Sequence, residues 1–178
     1  MINNNFLISE MNKYSVQNCL RNVEIKVPKS IMLSNQDYGE AIEKCGLPLY
    51  VKSQKQADTI IYTSTEEGFD RTVLELPIKN FYFEEGVDLN EFHLEKIYYV
   101  DEYIESSKLD FVITDDLKSI LKNISQALNL EIYSGDIFFS NTDDDYRCID
   151  INPAPGLFHS TKARVNFAKY VLHRLKKN

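Results

Sequence analysis

Asp136, Asp150 and Asn152 are the residues whose types and spacing best suit chemistry in this chain. The first sits in Gly135-Asp136-Ile137-Phe138-Phe139, the other two in Cys148-Ile149-Asp150-Ile151-Asn152. Between these apolar runs lies Asn141-Thr142-Asp143-Asp144-Asp145, whose turn chemistry predicts a hairpin. A turn centred on Asp143 places Asp136 directly across the ladder from Asp150. Side chains alternate faces along a strand, so Asp150 and Asn152 share one. Two facing carboxylates repel each other unless a cation lies between them. Magnesium prefers oxygen ligands and is usually held by one or two carboxylates together with phosphates. The competing reading is a solvated acidic pair on an exposed sheet face. Pro153, Pro155 and Gly156 favour the metal reading, because they form a rigid exit that fixes the direction of the last ligand. A slip of one residue in the hairpin would send one carboxylate to the opposite face and dissolve the site.

The elements that must position these residues can be read along the chain. Residues 1–10 form a lead-in. Tyr14, Val16, Cys19 and Leu20 are spaced for a helix over 11–22, and Val23 to Leu33 alternates as a strand broken by Pro28. A short helix over 36–45 ends at Gly46, and Pro48 forbids its continuation. Strands follow at Leu49–Val51, Thr59–Thr63, Asn80–Glu84 and, longer, Glu95–Ile104. Leu117, Ile120, Leu121, Ile124 and Leu128 step at helical intervals behind the cap candidates Thr114 and Asp115. Val165, Ala168, Val171, Leu172 and Leu175 mark a last helix, with Arg174, Lys176 and Lys177 favourable at its C-terminal end. The pattern is α+β, with mixed and antiparallel sheets on which helices pack.

Bulk properties narrow the function classes. At 178 residues, 43% hydrophobic and 26% charged, the chain is long enough for one sizeable domain or two small subdomains with a proper core. A net charge of −7 leaves no basic surplus for nucleic acid or an anionic membrane. No apolar run approaches a membrane span, and Met1-Ile2-Asn3-Asn4-Asn5 has no signal-peptide pattern. Cys19, Cys45 and Cys148 lack metal-type spacing and read as buried thiols of a cytoplasmic protein. His93, His159 and His173 form no recognisable catalytic arrangement.

In this order of elements the chain resembles the ATP-grasp superfamily, which clamps ATP between two small α+β subdomains. Asn12-Lys13-Tyr14 with Val27-Pro28 is similar to that family's opening helix and strand. Leu47-Pro48-Leu49-Tyr50-Val51-Lys52 resembles its "P-x-V-x-K" strand, whose lysine reaches the ATP phosphates. Phe81 to Val87 resembles the strand and hinge that contact adenine, and Lys96 to Asp101 the following "[RK]-x-[YF]-V-V-G" strand. Gly135-Asp136 and Asp150-Ile151-Asn152-x-x-Pro155-Gly156 resemble the metal-binding strands and form the most specific of these signatures.

The resemblance implies Mg2+, with two ions possible, held by Asp136, Asp150 and Asn152. It implies ATP as co-substrate, bound through Lys13, Lys52, Glu84, Glu85, Val87 and Lys96, with Lys52 and Lys96 also acting in catalysis. Lys52 would present a point charge to triphosphate oxygens. Phe81, Tyr82, Phe83, Tyr98 and Tyr99 could wall an adenine pocket, although strand aromatics are more often core. His159, Lys162 and Arg164 follow the Pro155-Gly156 turn, where a substrate anion could sit. On this reading 11–178 is a compact ATP-grasp domain, and about 48–85 is its smaller, lid-like subdomain.

The chain also departs from the family pattern. It begins almost at the ATP-grasp start, so the usual N-terminal substrate domain is expected to be absent or supplied by a partner protein. The stretch Ser53 to Thr59 contains no glycine, whereas a glycine-rich loop would let backbone donors approach phosphates closely. Between Ile104 and Asp115 only Lys108 is cationic. The resemblance implies a carboxylate–amine ligase acting through an acylphosphate on a small-molecule or peptide acceptor, similar to ribosomal-protein glutamate ligases. The alternatives are an inositol-phosphate kinase of the trisphosphate 5/6 type and a non-catalytic nucleotide-binding adaptor.

Overall fold

The chain folds around two four-stranded sheets, each with its own core. The structure is a computed structural model that describes residues 12–34, 38–53, 60–68, 81–155 and 160–177. Its smaller unit comprises 12–15 and 28–92; the larger contains 16–27 and 93–178.

In the smaller unit, β1 (Ser30–Ile31), β4 (Phe81–Glu85), β2 (Leu49–Ser53) and β3 (Ile60–Thr63) lie side by side in that order, all antiparallel. Alternation along the strands sends Leu49, Val51, Phe81 and Phe83 to one face. There they bury against Ala41 and Cys45 of the helix Tyr38–Cys45. The opposite face carries Tyr50, Lys52, Tyr82 and Glu84, with Tyr50 paired to Glu84 and Lys52 to Tyr82. Phe81 and Phe83 are therefore core residues rather than pocket walls. We label the helix Lys13–Asn22 α1 and Tyr38–Cys45 α2.

The strand expected over Val23–Leu33 shrinks to Ser30–Ile31. The end of α1 occupies the intervening residues: Glu24 adopts φ 61°, Glu24 N donates to Arg21 O and Ile25 N to Leu20 O. This is a Schellman-type stop with glutamate where glycine is usual. Pro28, which has no N–H, follows four residues after Glu24.

In the larger unit the order is β6 (Tyr103–Ser106), β5 (Phe92–Val100), β7 (Ile132–Ser140) and β8 (Tyr146–Asn152). The helix α3 (Asp115–Leu128) starts at Thr114, whose Oγ1 accepts from Leu117 N at 3.2 Å. Its stripe of Leu117, Leu121, Ile124 and Leu128 packs with Val16 and Leu20 on one face of the sheet. Each such fully buried side chain contributes about 1.5–3 kcal/mol. The sheet supplies Ile97, Tyr99, Ile137, Cys148 and Ile151 to this core, so Tyr99 too is a core residue.

One expectation changes here. The long strand expected over Glu95–Ile104 is a hairpin, because Asp101 and Glu102 have φ 46° and 74° and reverse the chain between β5 and β6. The last helix, α4 (Thr161–Lys177), forms where predicted, and of the residues that mark it Val171 joins a core cluster. It uses Phe167, Tyr170 and Val171 against Val100 and Ile132, while Val165, Leu172 and Leu175 face solvent. No helix among the described residues is long and apolar enough to cross a membrane.

Candidate functional site

The hairpin of β7 and β8 presents its oxygens on the sheet face opposite the α3 core. Asp136 pairs directly with Asp150, and Ser134 with Asn152. Gly135 and Ile151, between them, face the core side, where a Cβ on Gly135 would meet Ile151 Cδ1 at 3.1 Å. Two carboxylates and a carboxamide thus share one face, with Ser134 buried beneath the last. Lys96 of β5 donates from Nζ to Asp136 Oδ1 at 2.8 Å, so an ammonium already lies beside one of the two acids. Asn152 Oδ1 accepts from Ala154 N at 2.9 Å, which fixes the amide plane and leaves its second lone pair. This donor set suits a hard divalent cation. No group of three His, Cys, Asp or Glu side chains among the described residues is arranged to hold a metal.

The smaller unit carries a second lysine–carboxylate pair. Lys52 Nζ donates to Glu84 Oε1 on the face away from α2, with 8% and 1% of the two residues exposed. The same ammonium sits 5.4 Å from the centroid of Tyr50, which in turn packs on Tyr62 at 5.2 Å. Burial, then Tyr62 and Glu84, push the Tyr50 phenol upward, so it stays a neutral donor at ordinary pH. Tyr50, Tyr62, Pro48 and Val87 line an open cavity of about 540 Å3. That volume lies within the range of small-molecule sites. The hinge after β4 is held in place: Gly86 N donates to Pro48 O at 2.7 Å, and a Cβ on Gly86 would lie 2.6 Å from that oxygen. Glu85 accepts from Lys29 N at 3.0 Å through its Oε2.

The remaining sequence-predicted residues lie elsewhere. Lys13 opens α1 behind Asn12, whose Oδ1 accepts from Ser15 N at 2.8 Å. Lys108 is committed to the buried Glu95, which also accepts from Ser106 Oγ at 3.0 Å. Lys162 and Arg164 are exposed in the first turn of α4, the latter donating to Thr161 Oγ1 at 3.1 Å. His159, Gly156 and the segment 54–59 lie outside the described residues. Sequence reasoning missed Tyr50 and Tyr62. The available signal was period-two alternation, which puts Tyr50 on the same face as Lys52.

No family model and no curated protein matches the sequence. Solved structures do match in fold. The ATP-grasp ligase PsnB, complexed with a minimal precursor, is 14% identical with a TM-score of 0.71, over 98% of this chain and 63% of that one. The macrocyclase MdnC from Microcystis aeruginosa MRC, bound with precursor peptide MdnA, is 16% identical with a TM-score of 0.72, over 94% and 62%. N5-carboxyaminoimidazole synthetase from Staphylococcus aureus, complexed with ADP, is 13% identical with a TM-score of 0.70, over 90% and 50%. The chain has the ATP-grasp fold. It spans about three fifths of the length of the first ligases it matches. An ATP-grasp fold accounts for the α+β architecture and its two antiparallel four-stranded sheets.

Proposed function

We propose that this chain is the nucleotide-binding part of a Mg-ATP-dependent carboxylate–amine ligase. The observation that carries the reading is the direct pairing of Asp136 with Asp150, with Asn152 on the same face and Lys96 at hydrogen-bond distance. Asp136, Asp150 and Asn152 would hold Mg2+, which when bound neutralises phosphate charge and orients the γ-phosphoryl group. Lys96 would exchange its contact with Asp136 for a phosphate oxygen. In the smaller unit, Lys52 would offer its charge to the phosphates. Val87 and the backbone at Glu84 and Glu85 would receive adenine, with Tyr50 and Tyr62 as its aromatic wall. Lys13 would add a further cation near the nucleotide.

In the reaction proposed, a carboxylate oxygen of the acceptor takes the γ-phosphoryl group and ADP leaves. An amine then attacks the acylphosphate carbon, forming an amide and releasing phosphate. The chain's share of catalysis is positioning and charge stabilisation, which dominate phosphoryl transfer. Two of the fold neighbours were solved with precursor peptides, which supports a peptide as acceptor. Calorimetry with Mg-ATP on the wild type and on Asp150→Asn tests the reading. Binding by the wild type and a loss of at least about tenfold in the variant, near 1.4 kcal/mol, is expected. Failure of both proteins to bind nucleotide would sink it. Amine-dependent ADP release then separates a ligase from a kinase, which turns over without an amine.

A further inference from the structure

Besides the face that packs on the sheet, α4 carries a second, outward-facing apolar stripe. Val165, Leu172 and Leu175 are 47%, 57% and 69% exposed, and Ala168 is exposed between them. The four positions follow helical spacing and lie on the side of α4 away from Phe167 and Tyr170. Lys162, Lys169 and Lys176 recur two turns apart along one edge of that stripe. None of the three is in a salt bridge among the described residues, and α4 contains no acidic residue. An apolar strip bordered by a row of lysines suits an apolar partner surface edged with carboxylates. It is an odd possession for a chain of net charge −7, unless that partner is itself acidic.

The same unit carries such a surface. Between α3 and the β7–β8 turn is a cavity of about 390 Å3. Phe111, Leu117, Ile120, Phe139 and Tyr146 supply its apolar lining. Asp116, Asp143 and Asp144 supply three exposed carboxylates, none in a salt bridge among the described residues. Asp145, which also lines it, is already paired with Lys26 and Arg147. The cavity lies on the α3 side of the sheet, since Phe139 and Tyr146 pack against the main core. The helix α4 lies on the other side, against Val100 and Ile132. Stripe and cavity therefore cannot meet within one unit, and lying on opposite sides of the sheet they cannot both face one partner, as a reciprocal two-fold exchange would require.

We propose that α4 of one copy docks its Val165–Leu175 stripe into the acidic cavity of a second copy, with Lys162, Lys169 and Lys176 facing Asp116, Asp143 and Asp144. The contact is heterologous, so each copy retains one open helix and one open cavity. Charge matching of three lysines against three aspartates favours a second copy over an anionic membrane, which the acidic remainder of the chain would repel.

Sedimentation of the full chain tests this with two surface variants. Leu172→Glu with Leu175→Glu spoils the stripe; Asp116→Lys with Asp144→Lys spoils the cavity. Circular dichroism should show that both variants stay folded, because all four positions are exposed. The wild type should self-associate at micromolar concentrations. Association should weaken at least about tenfold between ~0.1 M and ~1 M salt, where the screening length falls from ~10 to ~3 Å. Each variant alone should be monomeric. A mixture of the two should form a heterodimer and nothing larger, because the only intact helix meets the only intact cavity. A wild type that is monomeric throughout overturns the proposal. So does association that either variant leaves intact, a mixture that fails to pair, or binding of the stripe to anionic vesicles without self-association.

Discussion

Asp136 and Asp150 are direct ladder partners although the ladder changes register immediately beside them. Counting inward from the turn, Phe139 pairs with Tyr146, Phe138 with Arg147 and Ile137 with Cys148. A regular continuation would put Ile149 opposite Asp136. Instead Ile149 is the extra residue of a bulge, and Asp150 takes the facing position. Bulges near functional sites re-aim side chains in this way. Here the bulge keeps Cys148 and Ile151 in the core while Asp150 and Asn152 stay on the face of Asp136.

Lys96 is the ammonium that this acidic pair already has. Lys96→Met should lower stability in chelator by only about 1 kcal/mol, because both side chains are partly exposed and water screens the pair. Added Mg2+ should then raise the melting temperature of the variant more than that of the wild type, since no ammonium has to be displaced. Thermal melts in chelator and in Mg2+ decide this. Equal Mg2+ shifts in the two proteins would mean that the ion does not bind between the carboxylates.

Lys52 and Glu84 form a buried pair, and removing one member takes from the other buried charge its opposite-charge partner. Lys52→Met alone should cost about 3–5 kcal/mol. Adding Glu84→Leu should restore most of that loss, because a buried ion pair and an apolar pair of similar volume differ little in stability. Urea midpoints of the two single variants and the double variant measure the coupling. Simply additive losses would show that the two side chains do not depend on each other.

Much of the candidate site was legible because it is local. The Asp136–Asp150 pairing lies within one hairpin, although a bulge that regular counting leaves out completes it, and the α3 start follows from a threonine three residues ahead of the N–H that it accepts. What was hidden depended on register or on competing faces. Lys52 and Glu84 were separate candidates; their contact requires β2 to lie beside β4, which spacing along the chain does not encode. The β5–β6 turn was missed because Asp101-Glu102 lacks the glycine or asparagine that usually announces positive φ. The packing side of α4 stayed open because the helix is apolar on two sides, and periodicity cannot say which one meets the sheet.

Glu102 gives that turn a separate test. It holds φ 74° and its side chain is exposed. A non-glycine residue in that region costs on the order of 1 kcal/mol or more. Glu102→Gly should therefore stabilise the protein by about 1 kcal/mol, or roughly 2–4 °C for a chain of this size. A calorimetric scan checks it, and an unchanged or lower midpoint would mean that the turn stores no strain.

Cys45 gives the fold a pH dependence on the alkaline side. Burial first, then Glu85 and Glu84, push its thiol from 9.0 up to about 11. The folded state thus holds the proton more tightly than the unfolded chain does. The resulting stabilisation is complete below the ordinary thiol range and disappears as pH rises through about 11. Tyrosines and lysines also titrate there, so the informative quantity is the difference between wild type and Cys45→Ala in urea midpoint at each pH. That difference should be constant up to about pH 9 and shrink towards pH 11. The same neutral, buried thiol should resist alkylation at pH 8 while the partly exposed Cys19 reacts first. Labelling of Cys45 at the rate of Cys19 in the folded protein would contradict both expectations, because a thiol that accessible would not be desolvated.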